Sequence, residues 1–182
     1  GVLALGVNSC AAPEETTTDA AATATSSDSS DNDSTSTDEL STIISYKVKG
    51  FVQKGPFVQG TEITARELDP TLTPTGRTFT GTIEDNTGRF TAKGRLVHSI
   101  VELSADGFYF NEIAGSLSTA KLTLQALAEL AVGTSVNVNL MTHLERKRVE
   151  QLIETGTTFM QAKSQAQSEI MKIFNIENEK IT

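Results

Sequence analysis

The chain has 182 residues, 37% of them hydrophobic, with one cysteine, no tryptophan and a formal net charge of −8. That length fits one globular domain with appendages, the single cysteine excludes an internal disulfide framework, and the acidic balance argues against nucleic acid as a partner. The charge is uneven: residues 11–40 hold eight acids (Glu14, Glu15, Asp19, Asp28, Asp31, Asp33, Asp38, Glu39) and no Lys or Arg, which leaves 15 acids and 15 bases in the rest.

Residues 1–7 are apolar but far short of the run of about 20 needed to cross a bilayer. They fit the end of the apolar core of a secretory signal peptide. Val7-Asn8-Ser9-Cys10 resembles the lipobox of bacterial lipoproteins, so residues 1–10 are expected to be a truncated lipoprotein signal with Cys10 as the lipid attachment site. The resemblance implies acyl chains such as palmitate on that thiol; each buried methylene contributes about 0.8 kcal/mol, and more than one chain is needed for stable anchoring. The other common fate of a lone cysteine, burial in a core, has no periodic segment around Cys10 to support it.

Residues 11–41 are expected to be a disordered acidic linker. Apart from the acids they are mostly Ala, Ser and Thr, and Leu40 is the only large apolar residue between 11 and 40, too little to offset the entropy of ordering the chain. Such a segment serves as a tether with a reach of roughly 30 Å, or only as a solubilising tail.

From residue 42 the pattern changes. Tyr46, Val48, Gly50 and Val52 alternate with Lys47, Lys49 and Phe51, the period of two of a half-buried strand. Further strands are expected over residues 61–68, 77–83, 89–93, 96–104, 108–113 and 121–130, separated by Gly55-Pro56, Gln59-Gly60, Asp69-Pro70, Asn86 to Gly88 and Asp106-Gly107. Seven short strands without intervening helices predict a mainly β fold, an antiparallel seven-stranded β-sandwich over residues 42–140. Residues 135–141 read as an edge strand or extended connector.

A family resemblance rests on these turns. Val48-Lys49-Gly50-Phe51-Val52, Gly60-Thr61-Glu62-Ile63, Ile83 to Phe90 with its Asp-x-x-Gly-x-Phe hairpin, and Ala105-Asp106-Gly107-Phe108 are similar to the spaced signature of carboxypeptidase-regulatory-like domains. That resemblance implies a prealbumin-like sandwich that is not itself catalytic. Gln53 to Phe57, Leu72 to Arg77, Tyr109 to Glu112 and Asn137 to Leu140 further resemble stretches of a group of uncharacterised bacterial lipoproteins, in which helices and further sequence follow the sandwich.

A helical hairpin is expected over residues 141–176. Thr142 to Glu145 has the form of a capping box, and Leu144, Val149, Leu152 and Ile153 share a face that ends at Gly156. Thr158 and Gln161 allow a second box, followed by a stripe of Phe159, Ala162, Ala166, Ile170, Ile173 and Phe174. The charge run Glu145-Arg146-Lys147-Arg148-Glu150 reads as a solvated face.

Groups for chemistry are sparse. His98 and His143, expected in a strand and in a first helical turn, do not form the clustered ligand set that zinc requires. His143 beside Glu145 lacks a serine nucleophile in a Gly-x-Ser-x-Gly elbow. Asp85, Asn86 and Asp106 read as turn formers, with calcium oxygens as the alternative. Phe108 or Tyr109, if exposed near Asp85, would stack on a sugar, so Phe108, Tyr109 and Asp85 are the candidate ligand contacts. No catalytic residue, metal or cofactor is expected. The partners expected are a membrane, reached through the N-terminal lipid, and a glycan or protein, with no nucleic acid. The chain reads as a non-catalytic module lipid-anchored in the bacterial cell envelope, at the outer membrane or cell surface. The alternative is the accessory N-terminal domain of a glycan- or peptide-degrading enzyme whose catalytic domain lies beyond residue 182.

Overall fold

The computed structural model describes residues 42–131 and 133–176. The expectations for the signal, for Cys10 and for the linker at 11–41 lie outside them.

The fold is mainly β, with a pair of helices at its C-terminal side. In β1 (Ile44–Gln53) burial alternates along the strand, with Val48, Gly50 and Val52 inside and Lys47, Lys49 and Phe51 outside. It pairs antiparallel with β4 (Arg89–Leu96) from Ile44↔Leu96 to Phe51↔Arg89. β3 (Pro74–Ile83) meets β4 only at Gly81↔Ala92, Thr82↔Thr91 and Ile83↔Phe90, then continues along β2 (Glu62–Leu68). β2 pairs with β5 (Ile100–Gly107), and β5 with β8 (Leu122–Glu129), again antiparallel. The last strand, β9 (Val138–Asn139), lies parallel to β1 on its free side, so the order is β8-β5-β2-β3-β4-β1-β9. Gly50 permits that approach, because a Cβ there would sit 1.9 Å from the Val136 carbonyl oxygen.

Because the β3–β4 contact is so short, the sheet has two halves that share one core. Val48, Val52, Phe90, Ala92 and Val138 from one half meet Ile63, Ala65, Leu103, Ala105, Leu124 and Ala126 from the other, all buried. A second core lies on the opposite face of β2, β5 and β8, where Leu68, Ile100 and Leu127 pack against Val149 and Leu152 of α1 (Leu140–Glu154) and Phe159, Ala162 and Ala166 of α2 (Phe159–Ile173).

Several local expectations need correction. The strand expected over 108–113 is only β6 (Phe110–Asn111), paired with β7 (Ser116–Leu117) in a separate ribbon; of the two readings of 135–141 the edge strand holds, as the short parallel β9. The strand expected to begin at Leu96 begins at Ile100, and His98 lies in the turn between β4 and β5. Buried Glu67 holds that turn, its carboxylate accepting the Val97 and His98 backbone N–H groups at 3.4 and 2.9 Å. The capping box lies three residues upstream of the expected one. Asn139 is the N-cap, its Oδ1 accepting from Thr142 N (3.0 Å) while Thr142 Oγ1 accepts from Asn139 N (2.9 Å). At the second helix Thr158 is the N-cap without a side-chain cap bond; its hydroxyl pairs with Gln161 Oε1 instead. Leu144, Ile173 and Phe174, expected on packed stripes, are exposed.

The charge run is the largest correction. Its members fasten the helices down: Arg146 Nε donates to buried Glu102 of β5 at 2.6 Å, buried Glu145 accepts from Lys163 of α2, and Arg148 makes a two-pronged pair with Glu169 at 2.6 and 3.1 Å. A carboxylate inside an apolar interface is costly unless paired, so these side chains cannot face only water.

Two predictions follow from this seam. Arg146→Ala should cost about 2 kcal/mol, less than the full penalty of a buried pair because Arg66 still lies near Glu102, whereas Glu102→Leu with Arg146→Met should restore most of the stability. Denaturant titration of the three proteins checks this, and a silent Arg146→Ala would refute it. Hydrogen bonds from Arg148 and then Gln165 lower the Glu169 carboxyl from 4.5 to about 2. A carboxyl lowered in the folded state stabilises above its unfolded value and loses that contribution as pH falls through the folded one. Arg148→Ala should therefore flatten the fall in Tm between pH 4.5 and about 2; an unchanged acid limb would show that the pair does not hold α1 to α2.

Candidate functional site

One end of the sheet gathers the β1–β2 loop, the β3–β4 turn and the β6–β7 ribbon around an apolar cleft of about 480 Å³ lined by Pro56, Phe57, Val58, Asn86, Phe110 and Leu117. The backbone fixes these parts to one another. Val58 N donates to Phe108 O (3.0 Å), Phe110 N to Pro56 O (2.8 Å), and Val52 N to Gly88 O (2.8 Å). Gly55 is required by this packing, since a Cβ there would lie 1.9 Å from the Phe110 carbonyl oxygen.

Phe57 is fully buried, while Phe110 and Leu117 are exposed at the rim. Tyr109 stacks on Phe57 with ring centroids 6.1 Å apart and 27° between planes. Lys54 Nζ lies 4.9 Å from the Tyr109 ring centroid and donates to its hydroxyl at 3.2 Å. The cleft falls within the size range of small-molecule sites. Its polar lining side chain is the Asn86 amide, and the other lining side chains are apolar.

The three candidate contacts surround this cleft without lining it. Phe108 is exposed, and Tyr109 is partly buried behind Phe57. Asp85 accepts from Thr87 N (2.9 Å), Thr87 Oγ1 (2.5 Å), and Arg89 Nε and Nη2 (3.0 and 2.6 Å). Those bonds, from Thr87 first and then Arg89, hold its carboxyl well below the ordinary carboxylate range. Asp85 thus shapes the turn that presents Asn86. Asp106 pairs instead with Thr123 (3.1 Å) and Lys121 (4.0 Å).

His98 lies in the β4–β5 turn and His143 in α1, and Glu145 pairs with Lys163. His143 Nδ1 is buried without a hydrogen-bond partner among the described residues. Among those residues no three His, Cys, Asp or Glu side chains are grouped to hold a metal ion. Sequence reasoning missed Pro56, Phe57, Val58, Phe110 and Leu117 as lining residues, and read Asn86 only as a turn former or calcium ligand. The alternation at 108–110, which puts Phe110 with Phe108 and Tyr109 opposite, was the available signal for Phe110. Compared with protein-family models and with curated proteins, the chain matches none.

Gly55→Ala should displace the β6 backbone and destabilise the domain by about 1–3 kcal/mol, whereas Phe110→Ala, which removes a side chain from the rim, should cost about 0.5 kcal/mol. Thermal unfolding of both variants checks this; a silent Gly55→Ala would mean that the loop and ribbon are not held in contact.

Proposed function

We propose that the chain is a non-catalytic envelope module, lipid-anchored through Cys10, whose prealbumin-like β-sandwich binds a glycan or a protein at its loop-end cleft. The observation that carries the binding role is the cleft itself: an apolar pocket with exposed Phe110 and Leu117 at its rim, one amide, and an aromatic pair behind it. The two-halved sheet around one core supports the sandwich class, and the lipobox-like Val7 to Cys10 supports the anchor. On this reading Phe108 and Tyr109 extend the aromatic surface beside the cleft, and Asp85 acts through the turn.

A second reading is favoured by a separate observation. Ile173, Phe174 and Ile176 are exposed at the end of α2, an apolar surface suited to carrying a further domain, and with a catalytic one the module would be an enzyme's accessory domain.

Two measurements test the proposal. In cells making the full-length protein, Cys10→Ala should abolish incorporation of a labelled fatty acid and leave the protein in the soluble fraction after a high-salt wash; retention in the membrane fraction would refute the lipid anchor. On a glycan and peptide array, Phe110→Ser with Leu117→Ser should lose the spots bound by the unmodified chain, while binding that survives in the double variant would place the binding surface elsewhere.

A further inference from the structure

Among the described residues the outward face of β1 and β4 has no layer over it, and it carries an unbalanced row of cations. Lys47, Lys49 and Phe51 point outward from β1, and Lys93 and Arg95 from β4. The register places Lys47 directly opposite Lys93 and Ser45 opposite Arg95. Arg89, opposite Phe51, is committed to Asp85. Among the described residues Lys47, Lys49, Lys93 and Arg95 have no carboxylate within ion-pair distance, whereas Arg146, Arg148 and Lys163 on the helices all do.

Like charges directly opposite across two strands destabilise their pairing, so Lys47 and Lys93 are a poor choice for folding alone. Ser45, Tyr46, Lys47, Lys93, Gly94 and Arg95 line a shallow depression of about 420 Å³, open to solvent, with three cations around it. Exposed apolar residues flank the cations, Ile43 just before β1 and Phe51 near its end.

We propose that this face docks on a phospholipid bilayer with anionic headgroups, the depression taking a headgroup phosphate between Lys47, Lys93 and Arg95 while Ile43 and Phe51 enter the interfacial region. A flat two-stranded surface of point charges with apolar flanks matches a fluid anionic sheet. A single-stranded nucleic acid would call for a row of stacking aromatics, and this face exposes Phe51 alone. Among the described residues no helix is long and apolar enough to cross a membrane, so the contact is peripheral. It is independent of the lipid on Cys10, and the test removes that lipid.

The full chain carrying Cys10→Ser is sedimented with vesicles of phosphatidylcholine containing about one third phosphatidylglycerol, and with phosphatidylcholine alone. It should bind the first and not the second, and release at high salt. Each cation near such a surface is worth about five-fold in affinity, so Lys93→Glu should weaken binding by about twenty-fold or more. The same substitution creates a Lys47–Glu cross-strand pair and should leave Tm unchanged or raised, which separates lost docking from lost folding. Lys147→Glu on α1 should bind as the parent does. The proposal is overturned if anionic vesicles are not bound at low salt, if Lys147→Glu weakens binding as much as Lys93→Glu, or if heparin or duplex DNA is bound through these lysines and vesicles are not.

Discussion

Strands β2, β5 and β8 each bury an apolar residue on a second face, Leu68, Ile100 and Leu127, besides the face they turn to the main core, and the rest of the fold follows from having to cover both. In β5 the consecutive residues Ile100, Val101, Glu102 and Leu103 are all buried, which a strand with one wet face would not allow. One face is covered by the other half of the sheet. The second face needs a layer of its own, and the helices provide it: α1 lies against β8, and Val149 and Leu152 share one cluster with Leu68, Ile100 and Leu127 and with Phe159, Ala162 and Ala166 of α2. Glu102 stands on that second face. It would be strongly destabilising there alone, so Arg146 must reach it, and their contact sets how far along β5 the first helix can lie.

The same arrangement makes the domain lopsided. One outer face is covered by helices and by ion pairs between layers, while the other, on β1 and β4, is cationic and has no layer over it among the described residues. Between them, at the loop end, the hairpin turn of Asp85 and Asn86 is tied to β1 through Gly88 and Val52. The apolar cleft and the basic face are therefore both built on β1, one at its end and one along its length.

The alternation along residues 46–52 was legible because a strand with one wet face has a period of two. β5 was harder to delimit, since a strand buried on both faces loses that period, and Leu96 to Ser104 reads as one run until the Glu67 carboxylate is seen holding a turn inside it. Asn139 is as good a capping residue as Thr142, and only the position of β9 decides between them. The polar seam could not be read because Glu145, Arg146 and Arg148 look like any exposed helical charges until their partners, 18 to 44 residues away, are known. The cleft is assembled from three separate loops, so no local pattern contains it. The basic face was half visible: Lys47 and Lys49 alternate outward on their own, but the register was needed to set Lys93 and Arg95 beside them.

The junction of β9 with α1 ties a long-range contact to a local one. The Phe51 backbone N–H reaches Asn137 Oδ1 at 3.2 Å across 86 positions of sequence, a far longer loop to close than that of the β3–β4 hairpin, and closure entropy grows with loop length. Asn139 ends β9 and also caps α1. The strand that closes the edge of the sheet and the helix that covers its second face thus share one residue, so a substitution at Asn139 touches the cap of α1 and the end of β9 at once.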